Sequence, residues 1–233
     1  MKKDYWIGRW ERGETGWHQQ EVEPALVHEF STRVAPCRVF VPLCGKSLDL
    51  KWLIENGYEV VGVELSALAC DQFFFENKIP FKIKLEGDFR VYQGEGVTLF
   101  NGDFFKLNSK ILGRLGAVYD RAALIAMPLD LRSEYAKHLV SLVTLAERTE
   151  SFSILQLIIE RVPAGPKGPP FSVTEDQLRE LYHENFEITQ LSRERVEGPV
   201  APDLQEAPEY MIESVFRMEC SHFKRLWDFR DFG

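Results

Sequence analysis

Short apolar runs rich in β-branched residues alternate along this chain with stretches whose apolar residues recur at helical spacing, and that alternation constrains the fold more than any other feature. Residues 38–43 form one such run, and 47–56 follow with Leu48, Trp52 and Leu53 at helical spacing before a stop at Gly57. Residues 58–65 read as a second buried strand. Ser66 can cap the next helix, which carries Leu68, Ala69, Phe73 and Phe74 and ends near 77–80. A third strand is expected at 82–85, and 91–92 and 97–100 flank Gly94-Glu95-Gly96 as a tight turn. Residues 115–119 form another strand, 131–144 resume helical periodicity, and 152–159 are the most hydrophobic strand of the chain. Strands that alternate with helices in this way form a parallel sheet covered on both faces. A helix at 175–183 opened by Thr174 and two late strands at 186–192 and 211–220 suit an antiparallel sheet edge. The Gly/Pro-rich segment 165–170 reads as a stiff loop, and 199–208 as an exposed connection.

A length of 233 residues fits one such domain, spanning 1–233, with 45% hydrophobic and 27% charged residues as in ordinary globular proteins. No apolar run approaches the roughly 20 residues of a membrane span, and no apolar stretch follows Lys2-Lys3, so a cytoplasmic location with no membrane partner is expected. The net charge of −8 argues against a nucleic-acid partner and for a small-molecule one. Cys37, Cys44, Cys70 and Cys220 have neither metal-ligand spacing nor the density of a disulfide scaffold, so reduced thiols and no metal are expected.

In an open α/β sheet, ligands sit beyond the carboxyl ends of the strands. Glu64 ends the second strand, about twenty residues past the first loop, where a carboxylate can accept hydrogen bonds from both ribose hydroxyls of an adenosine. The alternative is an acid favouring the dipole of the next helix. The first loop, Leu43-Cys44-Gly45-Lys46-Ser47, has a single glycine. It therefore lacks the triple-glycine pattern that brings a helix end to a pyrophosphate, which argues against a nicotinamide-dependent oxidoreductase, while Gly45 still permits close backbone approach.

These residues carry a resemblance. Pro42-Leu43-Cys44-Gly45-Lys46, then Lys51-Trp52, then Val61-Gly62-Val63-Glu64-Leu65-Ser66 resemble the signature of the thiopurine S-methyltransferase family. Trp6 and Trp10, Gly16-Trp17-His18, Tyr119-Asp120-Arg121-Ala122-Ala123-Leu124 and Gly168-Pro169-Pro170-Phe171 are similar to further family segments, in family order. The resemblance implies a Rossmann-like class I methyltransferase with a mostly parallel seven-stranded sheet, helices on both faces and an antiparallel edge strand. It implies S-adenosylmethionine as donor, S-adenosylhomocysteine as product, and a thiol or other chalcogen compound as acceptor. By motif position, Trp6, Trp10, Trp17, Leu43, Gly45, Glu64, Asp103, Phe104 and Arg121 would bind the donor, with Phe104 near the adenine and Asp103 at its exocyclic amine. Trp17, His18, Arg121, Pro169, Pro170 and Phe171 would face the acceptor. Arg121 with Asp120 would serve catalysis, residues 1–30 would act as a lid, and the enzyme would be a monomer. Arg193 and Arg195 are candidates for a second acceptor-contacting arginine, and 222–233 match no family segment.

Each assignment has a plainer counterpart. The three tryptophans can be core residues of an amphipathic helix, Asp120-Arg121 a local ion pair, His18 a surface residue and the Gly-Pro segment a rigid turn. Related halide or thiol methyltransferases share the pattern, and a non-catalytic nucleoside-binding protein would keep the same pocket.

Overall fold

The computed structural model describes residues 3–146, 148–163, 168–196 and 210–220. The expected connection at 199–208 and the tail 222–233 lie outside them, as do residues 165–167 of the segment 165–170. The strands are β1 (Arg38–Pro42), β2 (Glu59–Glu64), β3 (Phe81–Glu86), β4 (Phe89–Gly94), β5 (Val97–Asn101), β6 (Leu115–Asp120), β7 (Arg148–Val162), β8 (Phe186–Val196) and β9 (Tyr210–Cys220). They form one sheet in the order β3-β4-β5-β2-β1-β6-β7-β9-β8. The five central strands, β5 to β7 in that order, run parallel. Antiparallel ladders close both edges.

The sheet therefore has nine strands, where seven with one antiparallel edge strand were expected. The two additional strands are the β3–β4 hairpin, turned by Gly87 at φ +57, and the antiparallel strand β9 lies between β7 and β8 instead of at the edge. The outer strand β3 alternates Phe, Lys, Ile, Lys, Leu and Glu, yet is mostly exposed, because it has no outer neighbour and only Phe81, at its start, packs against α4.

The helices are α1 (Lys3–Glu11), α2 (Pro24–Arg33), α3 (Leu48–Glu55), α4 (Ala67–Glu76), α5 (Ser109–Leu112), α6 (Leu129–Leu145) and α7 (Glu175–Tyr182). Strand periodicity sorts the core into two layers. Phe40, Val61, Val63 and Val118 face one side and meet Tyr135 and Leu139 of α6 and Leu178 of α7. Val39, Val41, Val60 and Ala117 face the other and meet Leu26 of α2, Leu53 of α3 and Phe73 of α4. Helix α2, inside the segment expected to be a lid, is thus a core helix.

The connections place the loops that matter. Ser47 Oγ accepts from Asp49 N and Ser66 Oγ from Ala69 N, so α3 and α4 begin directly after β1 and β2. Thr174 and Gln177 form a reciprocal capping box at α7. From β1 the chain builds outward to β2 and β5, then crosses to β6 on the other side of β1. The order reverses at β1, and a crevice opens there beyond the carboxyl ends of the strands.

Candidate active site

A cavity of about 1480 Å³ occupies that crevice. At the end of β2, Glu64 is 6% exposed and lines it. Its Oε2 accepts from Gly45 N at 2.9 Å and its Oε1 from Ser66 N at 2.7 Å. Burial pushes the carboxyl pKa up, and the N–H groups of Ser66, Gly45 and Leu65 oppose that. The carboxylate is held rigidly, and each oxygen retains acceptor capacity.

Gly45 is required on two grounds. Its φ is +55, and a Cβ would lie 3.2 Å from Trp10 Cζ2. Leu43 (φ 47) and Ala122 (φ 68) are non-glycine residues in the same left-handed region, immediately beyond β1 and β6. Strain of this kind persists only where surrounding structure imposes it.

Past β5, Asp103 Oδ1 accepts from Phe105 N at 3.1 Å, and Oδ2 lies 2.7 Å from Lys3 Nζ of α1. Phe104 is buried and stacks on Tyr135 with ring centroids 4.8 Å apart. Both line the cavity.

Helix α1 covers the opening. The Trp17 ring stands edge-on to Trp6 at 5.1 Å and to Trp10 at 5.8 Å, and the Arg9 guanidinium lies 5.1 Å from the Trp17 ring. The three tryptophans and His18 face the cavity, although Trp17 lies beyond the helix itself. Burial lowers the His18 pKa, and the neighbouring Lys46 charge adds to this.

At the end of β6, Arg121 Nη1 donates to Asp49 Oδ2 at 3.2 Å, and its Nε lies 3.6 Å from Glu23 Oε2. Asp49 also accepts from Tyr119 Oη at 3.0 Å and from Glu23 N at 2.9 Å. One guanidinium thus sits between two buried carboxylates. Asp120 does not join them: Tyr135 Oη donates to its Oδ2 at 2.6 Å and Leu124 N to its Oδ1 at 3.2 Å. It is fully buried, is not among the cavity-lining residues, and has its pKa pushed up to about 6 by burial.

The far wall comes from Leu157, Ile159 and Arg161 of β7, Met211 and Glu213 of β9, and Pro169 and Pro170. Phe171 N donates to Ile125 O at 2.7 Å and Val173 N to Ile159 O at 2.9 Å, which fixes the two prolines against the wall. The Phe171 ring folds against Gly168 and is not a lining residue. Arg193 pairs with Glu160, and Arg195 lies 4.1 Å from the Tyr210 ring; neither lines the cavity.

Glu23, Asp49, Arg161 and Glu213 escaped the sequence reading. The last two stand on strands with further charges, Glu160 on β7 and Arg217 and Glu219 on β9, so little in the sequence singles them out. Nothing local marks Glu23 and Asp49, because their partner Arg121 is 98 and 72 positions away, respectively. Among the described residues, no group of three His, Cys, Asp or Glu side chains is placed to hold a metal ion, and no helix is long and apolar enough to cross a membrane.

Comparison with known proteins agrees with this geometry. Among solved structures, Burkholderia thailandensis 1,6-didemethyltoxoflavin-N1-methyltransferase, in complex with 1,6-didemethyltoxoflavin and S-adenosylhomocysteine, superposes with a TM-score of 0.60 at 17% identity, covering 93% of this chain and 86% of that one. TehB from Haemophilus influenzae gives 0.61 at 12% identity, covering 94% and 66%. These establish the fold as that of the α/β methyltransferases. Closer in sequence, the thiopurine S-methyltransferase of Pseudomonas syringae pv. pisi is 40% identical over 94% of this chain and 99% of its own length. That of Pseudomonas aeruginosa strain UCBPP-PA14 is 39% identical over 94% and 99%. The family model for thiopurine S-methyltransferase matches residues 1–221, and the chain belongs to that family.

Proposed function

We propose that this protein transfers the methyl group of S-adenosylmethionine to the sulfur of a small aromatic or heterocyclic thiol, with selenium and tellurium compounds as related acceptors. The methyltransferase activity and its donor follow from the family. The observation that carries the site assignment is Glu64, clamped by Gly45 N and Ser66 N at the cavity floor.

Glu64 accepts the ribose hydroxyls. Phe104 and Asp103, on the β5 side of Glu64, take the adenine face and its exocyclic amine, the latter when Asp103 exchanges Lys3 for that amine. The methionyl end then runs over the turn at Leu43 and Gly45 toward β6. The bound donor supplies a methyl group on a positive sulfur. Trp6, Trp10 and Trp17 close over it, exclude water and present π faces to a cation, worth about 0.5 to 2 kcal/mol.

The acceptor lies beyond β6, between Arg121 and the wall that carries Pro169 and Pro170. Glu23 and Asp49 hold the Arg121 fork in one orientation and offset its charge. Its contribution to a thiolate is therefore directional hydrogen bonding, with little long-range positive potential. Asp120 supports from behind, anchoring the turn that carries Arg121. A thiolate needs no general base, so alignment supplies most of the acceleration. In this reading the enzyme is monomeric, cytoplasmic and metal-free.

Transfer of labelled methyl from S-adenosylmethionine to thiophenols and thiopurines tests the proposal. Arg121→Ala is expected to lower kcat/KM about a hundredfold. No transfer to any thiol, selenide or tellurium compound would overturn the proposal, and full activity of the variant would remove the arginine's role.

A further inference from the structure

A carboxylate without a hydrogen-bond partner among the described residues stands in the far wall of the cavity. Glu213 lines it from β9, and among the described residues its side chain makes no hydrogen bond or ion pair. Its direct cross-strand neighbours are Ile159 on β7 and Glu194 on β8. One neighbour is apolar and the other a like charge, an arrangement that destabilises a sheet. Leu157, Val196 and Met211 line the wall beside it, and Arg161 lies two residues beyond Ile159 on the same face of β7. Burial pushes the Glu213 pKa up; the Glu23 and Glu194 charges add to this, and Arg121 opposes it. That arginine is already held by two other carboxylates.

The position fits an acceptor-reading group. The sheet places β9 four strands from β2, roughly 19 Å from Glu64 at strand spacing, on the acceptor side of β6. A half-buried carboxylate that makes no hydrogen bond among the described residues, in a largely apolar wall, is costly until a donor reaches it. An anionic group placed against Glu213 would be repelled by its carboxylate. A planar ring carrying an N–H would lie flat on Ile159 and Met211 and satisfy the orphaned acceptor.

We infer that Glu213 selects the acceptor by accepting a hydrogen bond from a ring N–H of a heteroaromatic thiol. This rests on the thiol methyl transfer proposed above. The N–H contact also draws electron density toward the sulfur of an N–C–S unit, favouring the atom that attacks.

The test compares 2-mercaptobenzimidazole, which carries ring N–H groups, with thiophenol, which has none, in the wild-type chain and in Glu213→Leu and Glu213→Gln. Loss of a hydrogen bond to a charged group lowers the ratio of the two kcat/KM values about tenfold to a hundredfold in the leucine variant, and less in the isosteric glutamine variant. Calorimetric affinity of 2-mercaptobenzimidazole for the chain loaded with S-adenosylhomocysteine falls in parallel. A general defect in folding or donor binding lowers both rates and leaves their ratio alone. An active wild type whose ratio moves by less than twofold in both variants overturns this inference and leaves the thiol reading intact. A wild type that methylates thiophenol but not 2-mercaptobenzimidazole overturns this inference alone, and one that methylates neither these two nor any thiopurine, selenide or tellurium compound overturns both.

Discussion

Asp120, sealed at the end of β6, carries a desolvation cost. Its pKa of about 6 stands above its ordinary 3.8, so the folded chain holds this proton more tightly than the unfolded one. The sign follows: the stabilisation is complete below about pH 4 and is lost as pH rises through about 6, a change of about 3 kcal/mol. Asparagine can accept from Leu124 N and donate to Tyr135 Oη, so Asp120→Asn keeps both bonds without the charge. Urea unfolding from pH 4 to 7.5 is expected to show wild-type stability declining relative to the variant by about that amount. Parallel profiles would contradict the burial argument. At the same scale, the place of Glu64 in the cavity was legible because the residue that ends a parallel strand faces the crevice beyond it. Glu213 was not, because an acid in an edge strand reads as solvated until β7 is seen beside it.

The turn after β1 and the helix that covers it form one functional element. Gly45 N clamps Glu64, while the absent Gly45 side chain admits Trp10. Gly45→Ala forces a left-handed backbone on a residue with a Cβ and crowds the indole. A cost of about 1 kcal/mol lowers Tm by about 2 to 4 °C in a domain of this size. The same variant is expected to weaken S-adenosylhomocysteine binding, since Glu64 loses its fixed partner if the turn shifts. Unchanged Tm and affinity would mean that the turn is looser than the contacts imply. The strands at β1, β2, β6 and β7 were readable from apolar runs because both their faces are buried. Helix α2 was missed since only Leu26 and Phe30 among its apolar residues are fully buried, too sparse a stripe for periodicity to reveal.

Across the whole molecule, five parallel strands present their carboxyl ends to a single crevice, and the antiparallel edges determine what each end of it holds. The β3–β4 hairpin extends the donor side without touching the cavity, whereas β9 brings Met211 and Glu213 into the acceptor wall. The parallel core could be read along the chain, and so could the cavity positions of Leu43, Gly45, Glu64, Asp103 and Phe104, because each lies at or within a few positions of the end of its own strand. The acceptor end could not, since it is assembled from β7, β9 and the segment at Pro169 and Pro170, whose adjacency is purely tertiary. The central claim is that one carboxylate, fixed between Gly45 and Ser66, grips the donor nucleoside. Calorimetric titration of S-adenosylhomocysteine into the wild-type chain and Glu64→Ala tests it most directly. The account predicts one-to-one binding to the wild type and affinity reduced at least tenfold in the variant. Equal affinity in both proteins would contradict it.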